Sequence, residues 1–266
     1  MGIVNVTPDS FSDGGRHADT AAALAHCERL LAEGADLLDI GGESTRPGSA
    51  PLPLADELAR VLPVVRAALT LGVPVSVDTY KAEVMRAVLD LGADAINDVW
   101  ALRQEGARQV VAQHPSCGLV LMHMHREPQT MQQAPMVGEV LPQVLFFLKQ
   151  QAEAAQALGV EKSRIVLDPG IGFGKTVAQN FALLARQREL LAAGYPLLAG
   201  WSRKSSLGMV TGLAAPERQL ASVAAALLAV ERGARLLRVH DVRETVQALA
   251  VWSAMQEQLP EKEPPP

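Results

Sequence analysis

Eight short apolar runs rich in β-branched residues recur along the chain, and each breaks off into a polar or glycine-bearing segment: residues 2–6, 37–40, 73–77, 95–99, 119–122, 165–167, 197–199 and 236–239. The runs are continuously apolar rather than alternating, so they read as strands buried on both faces, the condition of a parallel sheet covered by helices. Between them lie Ala-, Leu- and Arg-rich stretches with helical periodicity, at 20–33, 54–71, 81–91, 141–158, 180–193 and 216–232. The order is β then α throughout, and strand starts lie about 33 residues apart, the size of a βα unit. Eight such units within 266 residues predict a single-domain (β/α)8 TIM barrel over 1–256, followed by a flexible tail at 257–266. A doubly wound open sheet is the competing architecture, and periodicity alone does not separate the two.

Charge and composition narrow the function. With 24 Lys plus Arg against 29 Asp plus Glu, the chain has no basic surplus for non-specific binding to nucleic acid or membrane, so an anionic ligand must be held by a local cluster. The longest nearly apolar run, 220–230, is shorter than the roughly 20 residues a bilayer span requires and reads as a buried helix. Cys27 and Cys117 make no disulfide framework, which suits a reducing cytosol. Residues 1–15 hold no basic head followed by an apolar stretch, so a cytoplasmic location is expected. The terminal EKEPPP reads as a frayed tail, since successive prolines neither continue a helix nor build a core.

Either architecture puts ligands at the carboxyl ends of the strands. Those positions are Asn5 with the loop 7–15, GGESTRPGS at 41–49, Asp78-Thr79, Asn97-Asp98, residues 122–125, DPGIGFGK at 168–175, GWSRKSS at 200–206, and Arg238 with His240. At one strand end such residues could merely cap the next helix; eight polar ends together point to a site. Three apparent motifs are set aside. GIGFGKT would need glycine at position 169 to be a phosphate loop, and the chain has Pro169. His123 and His125 suggest a metal pair but lack an evident third ligand. Cys27 and Cys117 have neither a nearby base nor a cysteine partner.

NVTPDSFSDGG, DIGGESTRPGS, VSVDTYK, INDV, DPGIGFGK, SRKS and RVHD follow one another in an order and spacing that resemble the dihydropteroate synthases of the pterin-binding (β/α)8 family, over essentially the whole chain. The resemblance implies condensation of 7,8-dihydropterin-6-ylmethyl diphosphate with p-aminobenzoate to 7,8-dihydropteroate and diphosphate. Residue chemistry agrees: the guanidine-like edge of a pterin calls for buried carboxylates beside amide and cationic donors. By resemblance, Asp168 accepts from the pteridine amino group and ring N–H, Asn97 and Asp78 read other ring nitrogens, Lys204 donates to the carbonyl side, Met122 packs on the ring, and Gly200 lets the backbone approach it.

The diphosphate falls to Asn5, Thr45, Arg46, Arg238 and His240, with Asn5 the side chain that reaches Mg2+. One amide is a poor metal site by itself, so that ion is expected to be held mostly by substrate and water. Arg238 could instead be an ion-pair partner of Asp241 or Glu244. The p-aminobenzoate slot is assigned to Phe11, Thr45, Pro47 and Phe173, with Lys204 and Ser205 at its carboxylate. Asp78, Asp168, Lys204 and Arg238 are the catalytic set. The long glycine-bearing loops 10–16 and 41–53 are expected to order once diphosphate binds, which predicts ordered binding with pterin diphosphate first; a homodimer through the C-terminal helices around 220–230 completes what the resemblance implies. Two rivals stand beside it: a methyltetrahydrofolate methyltransferase of the same family, and a non-catalytic pterin-binding protein.

Overall fold

Strand and helix alternate from the first residues onward. The order is β1 (Gly2–Asn5), α1 (Gly15–Ala32), β2 (Leu38–Gly41), α2 (Leu54–Ala68), β3 (Val75–Asp78), α3 (Ala82–Leu91), β4 (Ala95–Asp98), α4 (Ala107–Gln113), β5 (Gly118–Met122), α5 (Val140–Gln156), β6 (Ile165–Asp168), α6 (Val177–Ala185), α7 (Gln187–Leu190), β7 (Leu197–Ala199), α8 (Ser205–Thr211), α9 (Gln219–Glu231), β8 (Ala234–Leu237) and α10 (Val242–Gln256). The structure is a computed structural model and describes residues 1–6, 15–44 and 48–258.

Consecutive strands pair in parallel from β1 to β8. The sheet then closes on itself. Val239, just beyond β8, bridges Gly2 in parallel; Ile3 N–H donates to Val239 O at 3.0 Å and Val239 N–H to Met1 O at 3.0 Å. That last pairing distinguishes a (β/α)8 barrel from the open doubly wound sheet, because only the barrel joins its first and last strands.

Local chemistry sets the boundaries. Helix α3 ends at Gly92, whose φ of 105° lies in the left-handed region and turns the chain toward β4 while its N–H returns to Leu89 O and Val88 O. The stretch 180–193 is two helices rather than one, since Arg186, at φ −105° and ψ 17°, leaves helical geometry between α6 and α7. Helix α6 starts at Val177, ahead of the expected stretch, because Thr176 and Gln179 form a reciprocal capping box. Strand β8 begins two residues before the apolar run that predicted it.

One expectation is corrected. The 220–230 run is not a wholly buried helix: α9 buries Ser222, Ala225, Ala226 and Ala229 and leaves Leu220 81% and Leu228 42% exposed. The fully buried positions carry small residues, Val230 also packs on the core, and Leu220 and Leu228 face outward. No described helix is long and apolar enough to cross a membrane. Of the predicted tail, 259–266 lies outside the described residues.

The main core fills the space between strands and helices. A second apolar cluster, Val99, Met122, Met124, Met131 and Phe173 with Tyr80 and Trp100 against it, sits at the carboxyl-terminal mouth.

Candidate active site

The strand register assembles this mouth. Gly41 lies beside Asp78 and Asp78 beside Asn97, while Met122 lies beside Asp168. Two residues before Gly41, on the same face of β2, Asp39 joins the set. Arg238 donates from Nε to Asp39 Oδ2 at 2.6 Å and from Nη2 to Asp78 Oδ2 at 2.8 Å, and Asn97 donates from Nδ2 to the same Asp39 oxygen at 3.1 Å. Asp39 Oδ1 is buried and has no partner among the described residues, which leaves an acceptor for a donor brought from outside. Arg238 therefore does not pair with Asp241 or Glu244; Asp241 is taken by Arg203, at 2.6 and 3.2 Å. With Nε and Nη2 engaged, the Nη1 hydrogens of Arg238 remain for an anion.

Asp168 closes the opposite side. Its Oδ1 accepts Gly170 N–H at 2.7 Å, and Gly200 lies beside Oδ2, where a Cβ would come to ordinary contact at 3.9 Å. Lys204 precedes α8 in extended geometry and holds its Nζ 4.3 Å from the Phe173 ring centroid, a cation–π contact. The turn that delivers it is strained: Arg203 sits at φ 57°, held by Asp241 and by Ser222 Oγ, which accepts its N–H at 2.9 Å. Ser205 is exposed at the start of α8.

Electrostatics follow from crowding charges where little water reaches. Burial pushes the Asp78 carboxyl up to about 7, against the pull of Arg238, and raises Asp168 against Gly170 N–H and Lys204. Burial lowers Lys204 to about 8, with Arg238 acting in the same direction and Asp168 and Asp78 against it. His240 is driven down to about 3 by burial and by Arg203 and Arg238. Its backbone N–H occupies Ser202 Oγ as acceptor at 3.1 Å, so the hydroxyl is free to donate to Nδ1, 2.8 Å away. With the hydroxyl donating there, the neutral ring carries its hydrogen on Nε2, a donor suited to a phosphate oxygen.

The remaining predicted positions divide. Asn5 ends β1 beside Gly41 and is half-buried; Met122 and Phe173 share the mouth cluster. Phe11, Thr45, Arg46 and Pro47 lie outside the described residues. His123, pushed down to about 2 by burial and Lys175, packs its ring edge-on against Phe147 at 5.0 Å, and no group of three or more His, Cys, Asp or Glu able to hold a metal occurs among the described residues. Burial raises the thiols of Cys27 and Cys117 to about 11, so neither is a ready nucleophile.

Sequence reasoning missed Asp39 and Lys175. Asp39 was legible as a charge inside a fully buried strand, LDIG. Lys175, buried with its Nζ 2.8 Å from Gly170 O, carries no comparable signal, since lysine after a glycine-rich loop is ordinarily solvated.

Residues 1–240 match the family model described as pterin binding enzyme. The chain is 51% identical over 261 residues to the dihydropteroate synthase of Neisseria meningitidis serogroup B, covering 96% of this chain and 92% of the relative. Among solved structures it is similar to Xanthomonas albilineans dihydropteroate synthase with 4-aminobenzoic acid, at a TM-score of 0.91 and 53% identity over 98% of this chain and 93% of that one. The same enzyme in complex with 7,8-dihydropteroate matches at a TM-score of 0.88 and 51% identity, over 98% and 94% of the two chains.

Proposed function

The chain belongs to the pterin-binding enzymes and, within them, to the dihydropteroate synthases, and from that premise we propose how its residues divide the reaction. The reaction is a transferase step of folate biosynthesis: 7,8-dihydropterin-6-ylmethyl diphosphate and p-aminobenzoate give 7,8-dihydropteroate and diphosphate. The observation that carries the assignment is the network in which Arg238 binds Asp39 and Asp78 while Asn97 donates to Asp39, with Asp168 and Lys204 across the same mouth.

The pterin lies against Met122 with its amino group and ring N–H on Asp168 and its remaining ring nitrogens on Asn97 and Asp78. Departure of diphosphate leaves a cation at the methylene carbon, delocalised into the ring; the carboxyls of Asp78 and Asp168, fixed at the mouth, favour that charge. Arg238 Nη1 and His240 Nε2–H, joined by Thr45 and Arg46, receive the leaving oxygens. The aniline nitrogen of p-aminobenzoate, held between Phe173 and the loop residues Phe11 and Pro47, is neutral at ordinary pH, so positioning takes the place of a strong base. Lys204 stands over Phe173 and spans the two half-sites; Ser205 meets the carboxylate.

Mg2+ fits the donor set in one way only. A single neutral amide, Asn5, without a carboxylate cage among the described residues, suits an ion that arrives on the diphosphate and keeps its waters. Bound there, it neutralises charge on the leaving group. A homodimer through α9 and α10 is supported by Leu220 and Val251, 81% and 72% exposed, beside a groove of about 350 Å³. Two buried free cysteines support a cytoplasmic location.

The test is diphosphate release from pterin diphosphate by the purified protein, dependent on both p-aminobenzoate and Mg2+. A methyltransferase passes a methyl group to a corrinoid protein and releases none; a non-catalytic binder releases none either. p-Aminobenzoate affinity is expected to rise when diphosphate is present, and equal affinity with and without it refutes the binding order.

A further inference from the structure

The 169–174 segment between β6 and α6 is gripped from two sides by buried side chains that stand outside the proposed reaction. On the β5 side Lys175 donates to Gly170 O at 2.8 Å, Phe173 O at 3.2 Å and His123 O at 3.3 Å, three carbonyls for the three hydrogens of an ammonium. The segment is pressed close there: a Cβ on Gly170 would come within 1.9 Å of His123 O. On the α8 side stands Asn180, 1% exposed. It accepts Gly172 N–H at 2.9 Å and donates to Ser206 Oγ at 2.9 Å and to Lys175 O at 3.5 Å.

Asn180 thus uses both ends of its amide, the acceptor on the residue before Phe173 and a donor on the residue two after Lys204. Phe173 and Lys204 are the pair found 4.3 Å apart. We propose that Asn180 is a positioning residue of the p-aminobenzoate half-site: its amide ties the Phe173 loop to the start of α8 and so fixes the gap between the Phe173 ring and the Lys204 ammonium. The proposal rests on the assignment of that gap to the second substrate.

The pterin half is held by a different set of bonds. Asp78 and Asp39 are held by Arg238 and Asn97 by Asp39, and Asp168 accepts Gly170 N–H. Loosening Asn180 therefore falls mainly on the Phe173–Lys204 gap and reaches the pterin half only through Lys204, whose charge also acts on Asp168. Lys175 does not offer the same separation, because its charge acts on Asp168 directly.

The experiment uses the full chain with Asn180→Ala and, as a milder cut of the same bond, Ser206→Ala. Three quantities are read: KM for p-aminobenzoate at saturating pterin diphosphate, the calorimetric Kd for pterin diphosphate with Mg2+, and the melting temperature. A displaced ring is costly to a positioned reaction, so KM for p-aminobenzoate should rise about tenfold in Asn180→Ala and about threefold in Ser206→Ala, with pterin Kd within about twofold of wild type. A KM within about twofold of wild type in both variants overturns the proposal, as does a pterin Kd that climbs in step with KM, the mark of general loosening. Should Asn180→Ala not fold, Ser206→Ala decides alone by the same criteria. Wild-type protein that releases no diphosphate overturns the synthase assignment and this proposal with it; active wild type with unmoved variants overturns this proposal alone.

Discussion

Arg238→Met removes the cation that Asp39 and Asp78 share. Arg238 reaches Asp39 Oδ2 at 2.6 Å and Asp78 Oδ2 at 2.8 Å; the Asp39 side chain is 0% exposed and that of Asp78 12%. Breaking a buried pair from one side costs about 3–5 kcal/mol, since a charge is left without its counterion. Asn97 still donates to Asp39 and some water reaches Asp78, so the lower end applies, about 3 kcal/mol. For a chain of this size that corresponds to a fall in Tm of roughly 6–12 °C.

The pH dependence has a definite sign. Asp78 is already pushed up to about 7 with Arg238 opposing the rise, and without Arg238 it climbs further. A carboxyl raised in the folded state binds its proton there at pH values where the unfolded chain has lost it, so stability falls as pH rises from about 4 toward the folded value. Wild type completes that loss near 7, whereas the variant continues to lose stability above it. The Tm gap should therefore widen between about pH 6 and pH 8.5. Denaturation followed by tryptophan fluorescence at the two pH values measures it. A gap under about 2 °C, or one that narrows as pH rises, refutes the shared-cation account. Arg238→Lys should fall between, because an ammonium cannot fork to two acids as a guanidinium does.

Three further outcomes are expected. Asp168→Asn should cost about 2–4 kcal/mol of pterin affinity, as an amide offers one acceptor where two donors arrive; unchanged affinity by calorimetry removes Asp168 from the pterin site. Lys204→Ala should abolish turnover while leaving the fold intact. Because burial holds Lys204 at about 8 when folded, the unfolded chain binds more protons between about 8 and 10.4, so wild-type stability rises across that window and the variant should show a smaller rise, Lys175 still contributing because burial lowers it to about 7. Leu220→Glu with Val251→Glu should convert a dimer to a monomer in sedimentation, and a wild-type monomer sinks the dimer assignment.

Much of the architecture was legible because a buried parallel strand has no polar face, so its whole length declares itself as an apolar run. Closure was not, since the Gly2–Val239 bridge joins residues from the two ends of the barrel and leaves no local pattern. The α9 exposure escaped for a related reason: a helix apolar on every side cannot say which side faces water. At the site, Asp78, Asn97 and Asp168 stood out at the carboxyl ends of their strands and Lys204 in the loop beyond one, whereas Asp39 lies deeper within β2 and was passed over. Asn180 reads as an ordinary polar helix residue; only the fold shows that it faces Ser206, 26 positions away.

The mouth of this barrel holds acids pushed toward their protonated forms and bases pushed toward their free forms. A ligand that offers N–H donors to Asp78 and Asp168 should expel protons, and a diphosphate beside His240 should draw them in. Association is then an exchange with the buffer as well as with the protein. Heats of titration measured in buffers of different ionisation enthalpy should diverge, and their slope counts the hydrogen ions exchanged.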